Sequence, residues 1–186
     1  MYPEFVQCFA ETTDVEVRQI IGQMKASNST GWDNIPINVI KANATTLAPI
    51  LAHLFNKSML QGIFPDSLKI DKIIPIFKAG CRLEIKNYRP ISILPSLSKI
   101  FEKIFYKRLY AHFHVNNLFT SCQYGFRKGK CTEHALIKFV QDMLTDFDAG
   151  HIGVAAFMDL TQAFDCVNHK ILFAKLRYYN ISLMDQ

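Results

Sequence analysis

The chain has 186 residues, 49% of them hydrophobic and 15 of them Phe, which is ample for a packed core and excludes disorder over most of its length. Its 21 Lys and Arg against 16 Asp and Glu give a formal charge of +5; that tilt permits contact with a phosphate backbone but falls below the basic footprint that would argue for nucleic acid unaided. The cysteines Cys8, Cys81, Cys122, Cys131 and Cys166 are odd in number and scattered, with no Cys-x-x-Cys pair, so free thiols are expected rather than a disulfide framework or a zinc site.

At the N-terminus, Glu4 and Glu11 stand where a signal peptide would carry basic residues, and no window reaches the length of a membrane span. The expectation is an intracellular protein, with nucleus and cytoplasm both open, and with the acceptor triplets at Asn28, Asn43, Asn56 and Asn180 unused. Thr13-Asp14-Val15-Glu16 is a capping box, and Val17, Ile20, Ile21 and Met24 repeat at helical spacing behind it. Residues 26–36 have loop composition, and Pro36 suits a first helical position. Leu47, Ile50, Leu51, Leu54, Phe55 and Met59 form the apolar stripe of a second helix, with Gly62 placed to end it in the left-handed conformation.

Between Ile70 and Leu94 two extended segments flank Ala79-Gly80-Cys81 and predict a hairpin, in which Pro75 and Pro90 must occupy edge or outward-facing positions because neither can donate to a ladder. Ser96 opens a helix whose Leu97, Ile100, Phe101, Ile104, Phe105, Leu109 and Phe113 share a face. Another follows Thr132, carrying Leu136, Phe139, Val140, Met143, Leu144 and Phe147 and closed by Gly150. The run Ile152 to Met158 is continuously apolar or small, as in a strand buried on both faces, and Asn168 caps a last helix through Ile171, Leu172, Lys175 and Leu176. A single buried strand needs neighbours, which must come from the hairpin region or from sequence outside this chain.

Asp159 closes that apolar run. Taken alone, such an acid more often ends a strand or caps a turn. Where a buried strand opens into a loop, however, a carboxylate can face a cleft and hold Mg²⁺, a hard ion that prefers oxygen ligands.

Three segments taken together decide between these readings. They are Asn87-Tyr88-Arg89-Pro90-Ile91-Ser92, Gln123-Tyr124-Gly125-Phe126-Arg127 with Thr132, and Phe157-Met158-Asp159-Leu160 with Ala163-Phe164-Asp165. In this order and spacing they resemble the reverse transcriptases of non-LTR retrotransposons, the LINE and jockey-like elements, over nearly the whole chain. Ser29-Thr30-Gly31-Trp32-Asp33, Gly62-Ile63-Phe64-Pro65 and Pro75-Ile76-Phe77-Lys78-Ala79-Gly80 add to the likeness. Thr30 stands where that family often has Pro, and Asn34 where it often has Gly.

The resemblance implies an α+β right-hand polymerase: fingers plus a partial palm, mostly helical, with a fingers hairpin and one buried palm strand. Residues 26–150 would supply fingers and early palm, and 151–186 the first catalytic palm motif. The family's Ala-Asp-Asp motif does not occur before Gln186, so the chain reads as truncated, with the remaining palm and thumb as partners and no membrane involved. The implied reaction is RNA-directed DNA synthesis, adding dNTP to a DNA primer on an RNA template with two Mg²⁺ ions. One ion lowers the pKa of the primer 3′-hydroxyl and the other neutralises the triphosphate.

By the same resemblance Asp159 is the catalytic acid and metal ligand, the Leu160 carbonyl helps hold the nucleotide-side ion, and Phe164 packs beneath the sugar and excludes a 2′-hydroxyl. Asp165 matches the family's second acid, with a structural hydrogen-bonding role at least as well supported. Lys78 and Arg89 would meet the nucleotide's phosphates, Arg89 bidentately, with Lys72 a third, weaker candidate. Gly31, Asp33, Gln123, Gly125, Phe126 and Arg127 would contact the template. The alternative is a catalytically dead remnant that acts as an RNA/DNA-binding module. A phosphatase with an aspartate nucleophile ranks last, because Thr161 stands where Asp-x-Asp would need its second acid.

Overall fold

A computed structural model describes residues 10–160, 163–164 and 166–181. The chain divides into two compact units, one of Met1–His112 with Asn180–Gln186 and the other of Phe113–Tyr179.

The first unit begins as the capping box requires. Thr13 caps α1 (Asp14–Gln23) by accepting a hydrogen bond from the Glu16 amide at 3.2 Å, which satisfies one of the amides a helix start leaves unpaired. Pro36 sits one position earlier than expected, as the N-cap of α2 (Ile37–Ala42), where its carbonyl accepts from the Val39 amide at 3.1 Å. The longer α3 (Ala44–Gln61) ends at Gly62, whose φ of 67° is the left-handed conformation its position predicted. A single turn, α4 (Asp66–Lys69), leads into β1 (Lys72–Phe77), which pairs antiparallel with β2 (Tyr88–Ile93).

The core of this unit comes from one face of each helix. Val17, Ile20 and Ile21 of α1 pack with Leu51, Phe55 and Met59 of α3 and with Ile100, Phe101 and Ile104 of α5 (Ser96–Val115). Phe101 lies between two parallel rings, 4.6 Å from Phe55 and 5.0 Å from Phe64 between centroids. Fully burying each such side chain contributes about 1.5–3 kcal/mol. The rim is closed by Arg108, which donates to the Glu16 carboxylate at 2.9 Å, the Thr12 hydroxyl at 3.0 Å and the Ala10 carbonyl at 3.1 Å. Asn56 exchanges hydrogen bonds with the Thr12 backbone.

The hairpin register accounts for both of its prolines. Pro75 lies opposite Pro90, and the Lys78 amide donates to the Asn87 carbonyl at 2.8 Å in the same register. Hydrogen-bonded pairs alternate along an antiparallel ladder, so Pro75 and Pro90 fall on a pair whose amides point outward, and no ladder bond is lost. Opposed residues share a face, which places Lys72, Ile74, Ile76 and Lys78 on the same side as Arg89 and Ile91. The other face pairs Phe77 with Tyr88, edge to face at 5.5 Å, while the Tyr88 hydroxyl donates to the Arg82 carbonyl. Gly80 has φ of 92°, and Asn87 fills the space a side chain there would need. Asn87 in turn donates to the Cys81 carbonyl and so fixes the connection.

The second unit is built from α6 (Thr132–Asp148) and α7 (His169–Tyr178) with their flanking turns. Cys131 caps α6 and Gly150 follows it with φ of 77°. Asn168 caps α7 as expected, accepting from the Lys170 and Ile171 amides. Neither helix has a buried residue.

The expected buried strand is not formed. Residues 151–160 have no ladder partner, and Ile152 and Met158 are 91% and 90% exposed. A buried strand exists only through its neighbours, and the only sheet among the described residues consists of β1 and β2 paired with each other. The segment instead passes beside α6, with Gly153 close against the Met143 side chain and Phe157 5.7 Å from the Phe139 ring.

Candidate nucleotide and nucleic-acid residues

The hairpin holds Lys78 and Arg89 on one face, and both are exposed. Lys78 opposes Asn87, so it is the diagonal neighbour of Arg89 across the ladder, within reach of one shared anion. Among the described residues no ion pair engages Lys72, Lys78 or Arg89, whereas Arg18, Lys69, Lys86, Lys107, Arg108 and Lys138 all have acidic partners. Lys138, held above the ordinary lysine range by its hydrogen bond to Asp142, shows what an engaged cation looks like in this chain. Arg82 lies over the Phe77 ring at 5.2 Å. Lys72, Lys78 and Arg89 share the lack of an acidic partner with most of the chain's cations among the described residues; what sets them apart is their common face on the hairpin.

Gly31 and Asp33 have work within their own loop. A Cβ on the buried Gly31 would lie 2.7 Å from the Pro95 nitrogen and 2.9 Å from its Cα, so only glycine lets the two backbones meet. Asp33 accepts from the Ile35 amide at 3.2 Å. Between them, Asn34 has φ of 56°, a left-handed position that Asn tolerates better than most residues.

In the second unit, Gln123 closes a turn through its amide to the Thr120 carbonyl, and its side chain reaches the Gly125 carbonyl at 3.5 Å. Gly125 has open space where a Cβ would stand. Arg127 lies over the Phe119 ring at 4.9 Å and donates to the Thr120 carbonyl at 2.8 Å, while its buried Nε has no hydrogen-bond partner among the described residues. Two features of this segment escaped sequence reasoning. Lys130 lies over the Tyr124 ring at 5.0 Å, and the Phe126 ring meets that of Phe164 edge to face, with centroids 5.9 Å apart. No periodicity relates residues this far apart, so no signal in the sequence could have paired Phe126 with Phe164.

Asp159 and Leu160 are exposed, on a segment without regular structure. Asp165 and Thr161 lie outside the described residues. Among the described residues no group of three or more His, Cys, Asp or Glu could hold a metal ion. Cys81, Cys122, Cys131 and Cys166 are free and exposed, as expected, and Cys8 lies outside the described residues. No described helix is long and apolar enough to cross a membrane.

A helix-dominated chain with a small antiparallel hairpin is consistent with part of a nucleic-acid polymerase domain. Residues 76–185 match the family described as reverse transcriptase (RNA-dependent DNA polymerase), and the chain belongs to that family. It is 32% identical over 87% of its length to the probable RNA-directed DNA polymerase from transposon X-element of Drosophila melanogaster. It is also 32% identical to the RNA-directed DNA polymerase from mobile element jockey of the same fly, and 29% identical to the jockey polymerase of Drosophila funebris. The chain spans about 18% of the length of these curated relatives.

Proposed function

We propose that this chain carries the nucleotide-facing fingers residues and the first catalytic acid of a jockey-like retrotransposon polymerase that copies RNA into DNA. The observation that carries the reading is that the family match runs without interruption from 76 to 185. It therefore takes in Lys78, Arg89, residues 123–127 and the stretch from Asp159 to Phe164 in the order the chemistry needs. Lys78 and Arg89 bind the triphosphate of an incoming dNTP from the exposed hairpin face, where no acidic partner among the described residues engages their charge. Gln123, Gly125, Phe126 and Arg127 support the template strand, with the open space at Gly125 allowing a backbone to come close. Gly31 and Asp33 hold the shape of a second template-side loop. Phe164 lies beneath the nucleotide sugar and rejects a 2′-hydroxyl by collision.

The Asp159 carboxylate and the Leu160 carbonyl are oxygen donors of the kind Mg²⁺ prefers, and they would be this chain's ligands to it. Bound Mg²⁺ would supply charge neutralisation at the triphosphate and activation of the primer hydroxyl. These two donors do not complete a two-ion site, so the isolated chain is expected to bind nucleic acid and nucleotide without polymerising. The competing reading, a binding module without chemistry, draws on the same exposed cations.

The test pairs two measurements on the purified chain. Primer extension on poly(A) primed with oligo(dT), with Mg²⁺ and dTTP, should give no product, and robust incorporation would contradict the proposal. Binding to an RNA/DNA hybrid should weaken with added salt. In the presence of Mg²⁺ and dATP, both Arg89→Ala and Asp159→Ala should lower dATP affinity. If Asp159→Ala changes nothing while Arg89→Ala weakens hybrid binding, the binding-module reading replaces the polymerase one.

A further inference from the structure

We infer that Phe126 is a positioning residue for Phe164, fixing the ring that discriminates deoxyribose from ribose. The inference rests on the proposed role of Phe164 and adds a residue that the role had not required.

Three observations converge on Phe126. Its backbone has φ of 60°, a conformation that a bulky L-residue adopts only when its surroundings over-determine it. Its side chain is 86% exposed, so burial in a core does not account for that backbone. Its ring meets Phe164, itself 77% exposed, at an interplanar angle of 86° with centroids 5.9 Å apart. This edge-to-face arrangement is the one aromatic quadrupoles favour.

The turn that presents Phe126 is braced from behind. Arg127 stacks on Phe119 and holds the Thr120 carbonyl, while Gln123 bonds the Thr120 and Gly125 carbonyls. These contacts hold the turn that carries the Phe126 ring against Phe164. A sugar-sensing ring discriminates only if it cannot swing aside when a 2′-hydroxyl presses on it. In the described structure Phe164 has Phe126 as its aromatic neighbour, and the edge-on contact opposes that swing. Because Phe126 belongs to the segment read as template-supporting, the same contact couples template seating to sugar selection.

The test uses the intact 186-residue chain and dATP and ATP, which differ only in the 2′-hydroxyl. Dissociation constants are measured by ligand-observed NMR with Mg²⁺. Phe126→Gly is the central variant, because glycine adopts the left-handed backbone without strain and should not lower the melting temperature; Phe126→Tyr keeps the ring. The expected result is a preference for dATP in the unmodified chain that falls at least threefold in Phe126→Gly, is restored in Phe126→Tyr, and is lost in Phe164→Ala. As an independent check on the contact, Phe164→Trp is made in a Trp32→Phe background. Acrylamide quenching of that tryptophan should increase when Phe126→Gly is added. If Phe164→Ala abolishes the preference while Phe126→Gly leaves both preference and quenching unchanged, the inference falls and the role of Phe164 stands. If the unmodified chain shows no preference for dATP, or binds neither nucleotide, the role of Phe164 falls and the inference with it.

Discussion

Phe101 and Phe147 are the same side chain on the apolar stripes of two amphipathic helices, yet Phe101 is 4% exposed and Phe147 57%. The first unit closes on itself because α1, α3 and α5 each bring an apolar face to one centre, with the Phe55, Phe101 and Phe64 rings stacked through it. In the second unit α6 has an equally regular apolar stripe, but Leu136, Val140, Leu144 and Phe147 remain exposed, and no residue of α6 or α7 is buried. Two of the three motif segments, Gln123 to Arg127 and Phe157 to Phe164, belong to this second unit, and Asn87 to Ser92 to the first. The packed core therefore lies in the first unit, while two of those three segments lie in the second.

Phe101→Ala removes the middle ring of the stack and should cost about 3–5 kcal/mol, seen as a large drop in the urea midpoint followed by circular dichroism. A loss below about 1 kcal/mol would mean that the stack is not the centre of the core. Leu144→Glu places a charge on the apolar stripe of α6. Because that position is open to water, stability should change by no more than about 0.5 kcal/mol, and a loss comparable to that of Phe101→Ala would show that the face is covered after all.

A smaller effect concerns Glu102, on the first half of α5. The residue is exposed, but its carboxyl is set back beside Ser98, and partial burial pushes it above the ordinary carboxylate range despite the Ser98 hydrogen bond and the nearby Lys99. A raised folded-state pKa favours the folded chain while the carboxyl is protonated, and that advantage is lost as pH rises through the raised value. Glu102→Gln should therefore increase the melting temperature slightly at neutral pH. The gain should shrink as pH falls through that raised value and be gone by about 4, where an ordinary glutamate is itself largely protonated. A gain that grew on acidification would reverse the sign of the argument.

What could be read from the sequence follows from how local each feature is. The Thr13 cap, the Gly62 terminus, the outward prolines Pro75 and Pro90 and the Asn168 cap are decided within a few residues, and each is found as expected. The strand over 152–158 is not local. An apolar run states that a segment can be buried, while burial needs a neighbour that hydropathy cannot supply, and here the run lies open beside α6. The candidate residues show the same division. Lys78 and Arg89 fall on one face because the hairpin was legible, whereas the contact between Phe126 and Phe164 needed the folded chain. Gly31 could be singled out by its motif, but its close approach to Pro95 could not be read from the sequence.

The measurement that bears most directly on this division of labour is hydrogen–deuterium exchange of the chain, free and with an RNA/DNA hybrid. In the free chain the amides of α1, α3 and the first half of α5 should be the slowest, and those of α6, α7 and residues 151–160 the fastest. Addition of the hybrid should slow exchange in residues 121–130 and at the hairpin around Lys78 and Arg89, and leave α1 and α3 unchanged. Equal protection of α6 and α3 in the free chain, or protection by the hybrid confined to α1 and α3, would contradict the account.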